Sequence, residues 1–509
     1  MTEDETRLNL LTYLPRARGG DSRIPPPSPA TAGFDPQAEA WKALWLVLAA
    51  HVSGLRKSDV LEDAALISIA RALDAAEDVT IGQSSTPSRL MVMLDDRVES
   101  LVPGALSGAA TLGLAREEWL ATASRLLLRD ASLNILIGVT DVVEQALVLA
   151  DAHALTVMPA FVGGRPAQPT TLAHYLGGLI CPLQTASERI IESFPRLNRS
   201  PLGSGVLAGD VIAADREDLA SRLGFASPAP NTLDALMGVE DVVGMVEAVI
   251  SGIASIRRFV SDLLIWIRTD PASFVLDEGW FTSPEPAHPT LVRSERLELL
   301  QSSLKEMEDD LHGFAQRLRA TPYGPLGSAN AILFELVSRC HDEVLPVLAE
   351  SRSLIGNGLI VNRAYLGNRA GRGYTTAGDL AAFLMTEEQL APTSARSISV
   401  LVLSQVQKSG LEVSGITQDM IDTAAMMIIG REIKVEIESL GRFLAPRRFL
   451  ERRQVTGSPA PAMTRAWLAE ERSALERHRK WISETTAEVA SRTAALAGLI
   501  TETAAEAND

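Results

Sequence analysis

The sequence predicts an all-α protein built around a bundle of long helices. Apolar residues fill 46% of 509 positions but aromatics only 5%, so Ala and Leu dominate. That mix suits closely packed helices better than sheet layers. No proline occurs between Pro103 and Pro159. From about Ala115 the apolar positions Leu133, Leu136, Val139, Val143, Leu147, Ala150, Ala154 and Val157 keep a spacing of three or four. This predicts one helix of up to about 40 residues, on the order of 60 Å at 1.5 Å per residue, longer than an ordinary globular helix. Strand signals are scarce, and no internal repeat is present.

The elements follow in order. The prolines of RIPPPSPATAGFDP disfavour helix and predict a PPII-like leader. WKALWLVLAAHVSGL and DVLEDAALISIARALDAA read as amphipathic helices. After the long helix, a second is expected from Asn231 to Arg268, with Asn231 as N-cap and Asp234 three residues on. A third runs from about Thr290 to Ala320 and a fourth from about Ser328 to Leu345. The Gly- and Arg-rich stretch GNGLIVNRAYLGNRAGRGY reads as a loop. Thr376 and Asp379 mark another helix start, and a last helix spans about Ala462 to Ala504. The expected division is a leader over 1–40, an N-terminal helical domain over 41–114, a central long-helix bundle over 115–360 and a C-terminal helical domain over 361–509.

Composition narrows the function classes. A net charge of −17 repels phosphate backbones, so no nucleic-acid partner is expected. The basic run PRRFLERR reads as a solvated helix face. Two cysteines imply no disulfide framework and fit a reducing cytoplasm. MTEDETRLNLL carries no signal-peptide pattern, and no run of 18 apolar residues predicts a membrane span. The seven histidines are dispersed without metal-ligand spacing, and no phosphate-cradling glycine motif occurs, so neither metal nor cofactor is expected. Cys340, His341 and Asp342 are adjacent; on a helix they point about 100° apart and cannot form a mutual triad. Heavy use of Ala, Arg and Asp suits a high-GC bacterium.

Several blocks then occur in series. Met158, Pro159, Ala167, Gln168 and Pro169 fit M-P-G-Y-T-H-L-Q-R-A-Q-P, and TLAHYL with His174 follows. Ser200, Pro201, Leu202, Gly203, Gly205, Leu207, Ala208 and Gly209 fit S-P-L-G-A-G-A-L-A-G. Asp215, Arg216 and Glu217 fit I-D-R-E, and Leu223, Gly224 and Phe225 fit L-G-F. Asn231, Leu233, Asp234 and Ala235 fit N-S-L-D-A. TTAGDLAAFL and LAPRRFLERRQVTGSPAPAMTRAWL match two C-terminal blocks. In these the chain resembles the argininosuccinate lyase branch of the fumarase/aspartase superfamily, over roughly residues 95–475. The resemblance implies a fumarase/aspartase-type fold, with a central long-helix bundle and two smaller helical domains. It also implies a homotetramer whose sites combine segments of three subunits. Family chemistry is β-elimination: a loop serine takes a proton next to a carboxylate, and backbone amides hold the dianionic intermediate.

The departures fall on the site segments. Val162 and Gly163 stand for the family's Thr-His, and Arg165 and Pro166 for Gln-Arg. Leu114 to Trp119 replaces R-S-R-N-D-Q, so Glu117 and Glu118 take the Asn-Asp positions. Phe281 to Leu300 replaces the mobile loop and loses its M-P-x-K-x-N core. Pro325 to Leu333 loses the clamp's Tyr, Arg and Lys. The candidate proton-transfer residues are His288 and Ser283 in the loop, and Glu117. The candidate substrate-binding residues are Arg116, Arg165, Gln168, Ser200 and Asn231. The first reading is a diverged lyase-type enzyme acting by elimination, reverse conjugate addition or cyclisation. Its substrate would be an unusual anionic small molecule of bacterial specialised metabolism rather than argininosuccinate. A catalytically inactive scaffold, and a cyclase that closes a reactive substrate without a strong base, stand as alternatives.

Overall fold

Helix length organises the molecule. The computed structural model describes residues 35–58, 60–77, 86–162, 164–212, 215–281, 293–323 and 326–506. Three helices come first: α1 (Pro36–Leu55), α2 (Asp63–Asp74) and α3 (Pro87–Glu99). Asp35 caps α1 and Thr86 caps α3, each followed by a proline at the first helical position. Then α4 (Arg116–Ala152) runs 37 residues. It is apolar on nearly every side and therefore lies at the centre, packed by α1 and by most of the later helices. Among the described residues it is the one helix long and apolar enough to cross a membrane, and it is a core helix.

The predicted continuation of this helix to Val157 is not observed. It ends at Ala152, and Val157–Val162 (β1) pairs antiparallel with Arg165–Thr171 (β2). The β-branched and proline-rich sequence there favours extended backbone over helix. From this hairpin α5 (Leu172–Leu197) folds back along α4. A two-residue strand β3 (Arg199–Ser200), α6 (Arg216–Arg222) and β4 (Ser227–Pro228) come next, with β3 and β4 parallel. The expected helix from Asn231 to Arg268 is two helices, α7 (Thr232–Met237) and α8 (Glu240–Thr269). Asn231 caps α7 as expected; Gly238, in extended backbone, breaks the run.

The bundle continues through β5 (Phe274–Leu276), α9 (Glu295–Arg319), α10 (Leu326–Arg339) and α11 (Leu345–Ser353). One π-turn at Cys340–Val344 joins α10 to α11, and a second lies at Leu354–Gly358. The stretch read as a loop contains structure: strand β6 (Leu359–Val361) pairs with β5, and α12 (Arg363–Ala370) comes after it. Asn362 caps α12, and Asp270 ties it down by accepting from Tyr365 Oη at 2.5 Å and Arg369 Nε at 3.2 Å. Tertiary anchoring overrode the glycines that suggested a loop.

Five short helices complete the smaller unit: α13 (Asp379–Thr386), α14 (Pro392–Lys408), α15 (Gln418–Ile429), α16 (Ile437–Phe443) and α17 (Pro446–Glu451). Residues from Leu380 to Leu444 form their own apolar cluster. The 45-residue α18 (Pro461–Ala505) then returns along α5, α4 and α2. Arg479 bonds Glu144 and Asp141 on α4, and Arg71 bonds the carbonyls of Ala504 and Glu506. The main core accordingly draws on both chain ends, from Ala40 to Ile500.

Candidate active site

The N-terminus of α4 organises one end of the bundle. Glu118 is 2% exposed. Its Oε1 accepts from Ala115 N at 2.9 Å, and its Oε2 from Gly205 N at 2.9 Å. The amides of Gly203 and Ser204 also face it. Ala115 has no capping side chain, so the glutamate supplies the cap for α4. Burial pushes the Glu118 carboxyl above its ordinary range, and the surrounding amides work against that shift.

Arg216 completes the hold on this turn. Its guanidinium donates to the carbonyls of Leu202 at 3.1 Å and Ala229 at 3.0 Å, and to Ser204 Oγ at 3.3 Å. The 200–205 turn is thus fixed by a carboxylate that takes its N–H groups and a guanidinium that takes its carbonyls. Gly205 lies at φ +59°, and a Cβ there would stand 2.6 Å from the Gly209 carbonyl oxygen. Only glycine fits.

Two further buried charges extend the same stripe of α4. Arg125, seven residues after Glu118, donates to Gly238 O at 2.8 Å and so holds the break between α7 and α8. Burial lowers its pKa; Asp241 and Asp234 act in the other direction. Arg129 donates to Leu223 O at 2.9 Å and lies over the Phe225 ring. Residues at spacings of seven and four share a helix face. Two of the recognised blocks, and the helix break that follows a third, are therefore held by one row of buried charges.

The expected site residues divide between the two ends of the bundle. At the first end, Arg116 is exposed with Asp95 as an electrostatic neighbour. Glu117 is half-buried, and its Oε2 is buried without a hydrogen-bond partner among the described residues. Ser200 is fully buried, and its Oγ accepts from Leu202 N at 3.2 Å. Asn231 Oδ1 accepts from Leu233 N at 2.9 Å and Asp234 N at 3.0 Å. Ser200 and Asn231 thus shape backbone at this end. His51 buttresses it through the Leu112 carbonyl, 2.9 Å from Nε2.

The second end lies beyond the C-terminus of α4. Arg165 pairs with Val162 in the hairpin and is exposed, its side chain making no hydrogen bond or ion pair to the described residues. Gln168, also exposed, lines a cavity against the 449–467 segment. Phe161 lies 5.9 Å from Trp266, ring to ring, which brings the end of α8 to the hairpin. Ser283, His288 and Gly163 lie outside the described residues; the stem of their loop does not. Trp280 packs under the Arg296 guanidinium, and Arg296 pairs with buried Glu350. Within one chain the two groups of candidates are separated by the length of α4, about 54 Å at ~1.5 Å per residue. Among the described residues no group of three His, Cys, Asp or Glu is placed to hold a metal ion. Burial raises the Cys340 thiol to about 12, which leaves it inert beside His341.

Glu118, Arg125, Arg129 and Arg216 escaped the reading of candidate roles. The signal of the first three was charges spaced along the largely apolar first half of α4, whereas Arg216 stood inside the D-R-E block.

A long all-α bundle with site segments at both ends defines a lyase-type helical fold. A family model described as lyase matches residues 73–277. The argininosuccinate lyase of Methanoculleus marisnigri is 27% identical over 467 residues, which cover 88% of this chain and 90% of that protein. A crystal structure of EDDS lyase in complex with formate superposes with a TM-score of 0.83 at 20% identity, covering 94% and 96% of the two chains. The 3-carboxy-cis,cis-muconate lactonizing enzyme of Pseudomonas putida gives a TM-score of 0.69 at 18% identity, covering 89% and 98%. In sequence the chain is similar to argininosuccinate lyases, and in fold it is similar to lyases and a lactonizing enzyme of the same helical architecture.

Proposed function

We propose that the protein is a diverged lyase acting on an anionic small molecule other than argininosuccinate. Its reaction is elimination, the reverse conjugate addition, or a cyclisation. The site is shared between the subunits of a homotetramer. Arg116 and Arg165 hold the anionic part of the substrate. Glu117, with Ser283 and His288 from the 281–294 segment, handles protons. Gln168 contributes from the hairpin, and Ser200 and Asn231 act through the backbone they shape.

One observation carries this reading. Exposed arginines occur at both ends of a helix about 54 Å long, so one chain cannot join them. Copies packed with opposite ends together can. Guanidiniums converging from different copies suit a carboxylate substrate, which they bind in a fork-like geometry. The similar solved structures include an EDDS lyase with bound fumarate and a muconate lactonizing enzyme, which supports a carboxylate ligand and either a lyase or a ring-closing reaction.

The test uses the purified full-length protein with unsaturated carboxylates, the dicarboxylate fumarate and the tricarboxylate 3-carboxy-cis,cis-muconate, each with and without a panel of amines. Loss of substrate is followed by ultraviolet absorbance. Turnover should fall by about 10²-fold or more in Arg116→Ala and in Arg165→Ala. Mixing the two inactive variants should restore part of it, because hybrid assemblies contain intact sites. Light scattering should give four times the 54.6 kDa chain mass. A monomer, or the absence of restoration on mixing two inactive variants, defeats the shared site. Efficient turnover of argininosuccinate defeats the substrate assignment.

A further inference from the structure

A cavity of about 630 Å³ opens between the first half of α5 and the 449–467 segment. Small-molecule sites span roughly 300–1,000 Å³. Its lining includes Gln168, which the proposed shared site also uses, so this inference is read out by binding rather than by turnover.

Two glycines shape it. Gly177 and Gly178 are consecutive in the interior of α5, where glycine weakens a helix relative to alanine. Gly177 has a packing reason: a Cβ there would meet the Trp467 ring at 3.3 Å. Gly178 has none. A Cβ there would meet nothing within 4 Å, and the residue lines the cavity. The helix accepts a destabilising residue where it keeps space open.

The lining says what the space suits. Tyr175, Met463 and Trp467 are broad apolar surfaces. Thr464 is 3% exposed, and its hydroxyl has no hydrogen-bond partner among the described residues. Elsewhere helix threonines such as Thr122 and Thr185 bond the carbonyl four residues back. An unmet buried hydroxyl is costly, so a ligand group that bonds it gains affinity. The charges at the walls are spoken for. Arg453 is paired with Asp379 at 2.5 Å. Both nitrogens of His174 are engaged, by Thr170 Oγ1 at 2.9 Å and Gly457 O at 3.1 Å. Arg453 shares the Asp379 carboxylate with Arg452, and the lining holds no other charged side chain among the described residues.

We propose that this cavity binds a neutral, single-ring aromatic molecule bearing a hydroxyl, with the ring against Trp467 and Met463 and the hydroxyl on Thr464. The sequence itself provides the reporter. Cys181 lines the cavity and is exposed, whereas Cys340 is buried, so thiol labelling of the folded protein reads Cys181 alone.

The experiment measures alkylation of the intact protein by N-ethylmaleimide with and without phenol, using benzenesulfonate as the charged counterpart. Phenol should slow labelling by about threefold or more near saturation, and benzenesulfonate should not. Gly178→Met should abolish the protection while melting no lower than the native protein, because it fills open space and favours helix. Thr464→Val should weaken phenol binding by about fivefold. Four results overturn the proposal: no protection by phenol, equal protection by benzenesulfonate, protection that survives Gly178→Met, or a Cys181 already unreactive because another copy covers the cavity.

Discussion

Replacement of Glu118 tests whether the 200–205 turn is held as described. In Glu118→Ala both carboxylate oxygens disappear from a site that water does not reach, since the residue is 2% exposed. The amides of Ala115 and Gly205, each 2.9 Å from an oxygen, lose their acceptor. Hydrogen bonds to a charged group contribute roughly 1.5–3 kcal/mol each, and a buried donor left unpaired keeps its desolvation penalty of about 1–3 kcal/mol. Release of a buried carboxylate offsets part of this. The net loss expected for Ala is about 3–4 kcal/mol. Glu118→Gln keeps one acceptor and turns an NH2 toward an amide donor, so about 2 kcal/mol is expected.

Urea denaturation measures both values, and amide hydrogen exchange at Gly203 to Gly205 gives the local readout. Because burial raises the Glu118 carboxyl above its ordinary 4.5, the folded state binds its proton more tightly than the unfolded chain. The contribution linked to that shift is full below pH 4.5 and declines as the pH rises through the raised folded value. The deficit of Glu118→Gln should therefore widen on acidification. A loss under about 1 kcal/mol in Glu118→Ala, with exchange at Gly205 unchanged, refutes the latch.

Further outcomes can be checked with the same protein. His153 is 7% exposed, and burial, with a smaller effect from Arg363, lowers its pKa to about 4. Its neutral form belongs to the folded state, so the associated stability is present above pH 6.5 and lost between there and about 4. That is about 3 kcal/mol across the window, and the loss should flatten in His153→Gln when melts are compared by pH. Gly205→Ala forces a Cβ toward the Gly209 carbonyl at positive φ and should cost about 2 kcal/mol or more, whereas Gly104→Ala, with nothing within 4 Å, should stay within about 0.5 kcal/mol in chemical denaturation. Glu350→Gln strips the partner from Arg296, whose side chain is only 21% exposed; about 3 kcal/mol is expected, and fluorescence of the neighbouring Trp280 should shift.

What was legible in the sequence was what periodicity and local chemistry encode. The long helix was placed to within a residue or two at its start because no proline interrupts it and its apolar positions recur in register. The Asn231 cap was legible because capping is a contact between near neighbours. The division at Gly238 was not. Its cause is Arg125, more than a hundred residues away, which holds the Gly238 carbonyl. The helix at Arg363–Ala370 was hidden for the same reason: Asp270 secures it from another part of the chain. At the site, residue types suggested roles for Ser200 and Asn231 near substrate, yet both spend an oxygen on local amides. The shared reason is that a one-dimensional pattern records what a residue prefers, while the partner that decides its role arrives from elsewhere.

The buried positions that hold backbone and the exposed positions at the bundle ends also differ in kind. Ser200 to Gly205, Leu223 to Phe225 and the break at Gly238, just after the Asn231 block, all sit opposite buried charges on α4, and each bond there runs to backbone rather than to a side chain. A backbone partner leaves the turn's own side chains free to vary but fixes its path, and it demands glycine where the path is tight. Val162 and Arg165, both altered, lie instead at an exposed hairpin tip, and Arg116, which keeps an arginine of R-S-R-N-D-Q, lies at an exposed helix start. Substitution at such positions removes no buried bond. The frame therefore resists change through unmet amides and carbonyls, whereas the ends of the bundle can exchange one chemistry for another at little cost in stability. Conversely, an alteration of Glu118, Arg125 or Arg129 should unsettle the turns before it touches any reaction, so an effect on binding that leaves stability intact must originate at the exposed ends.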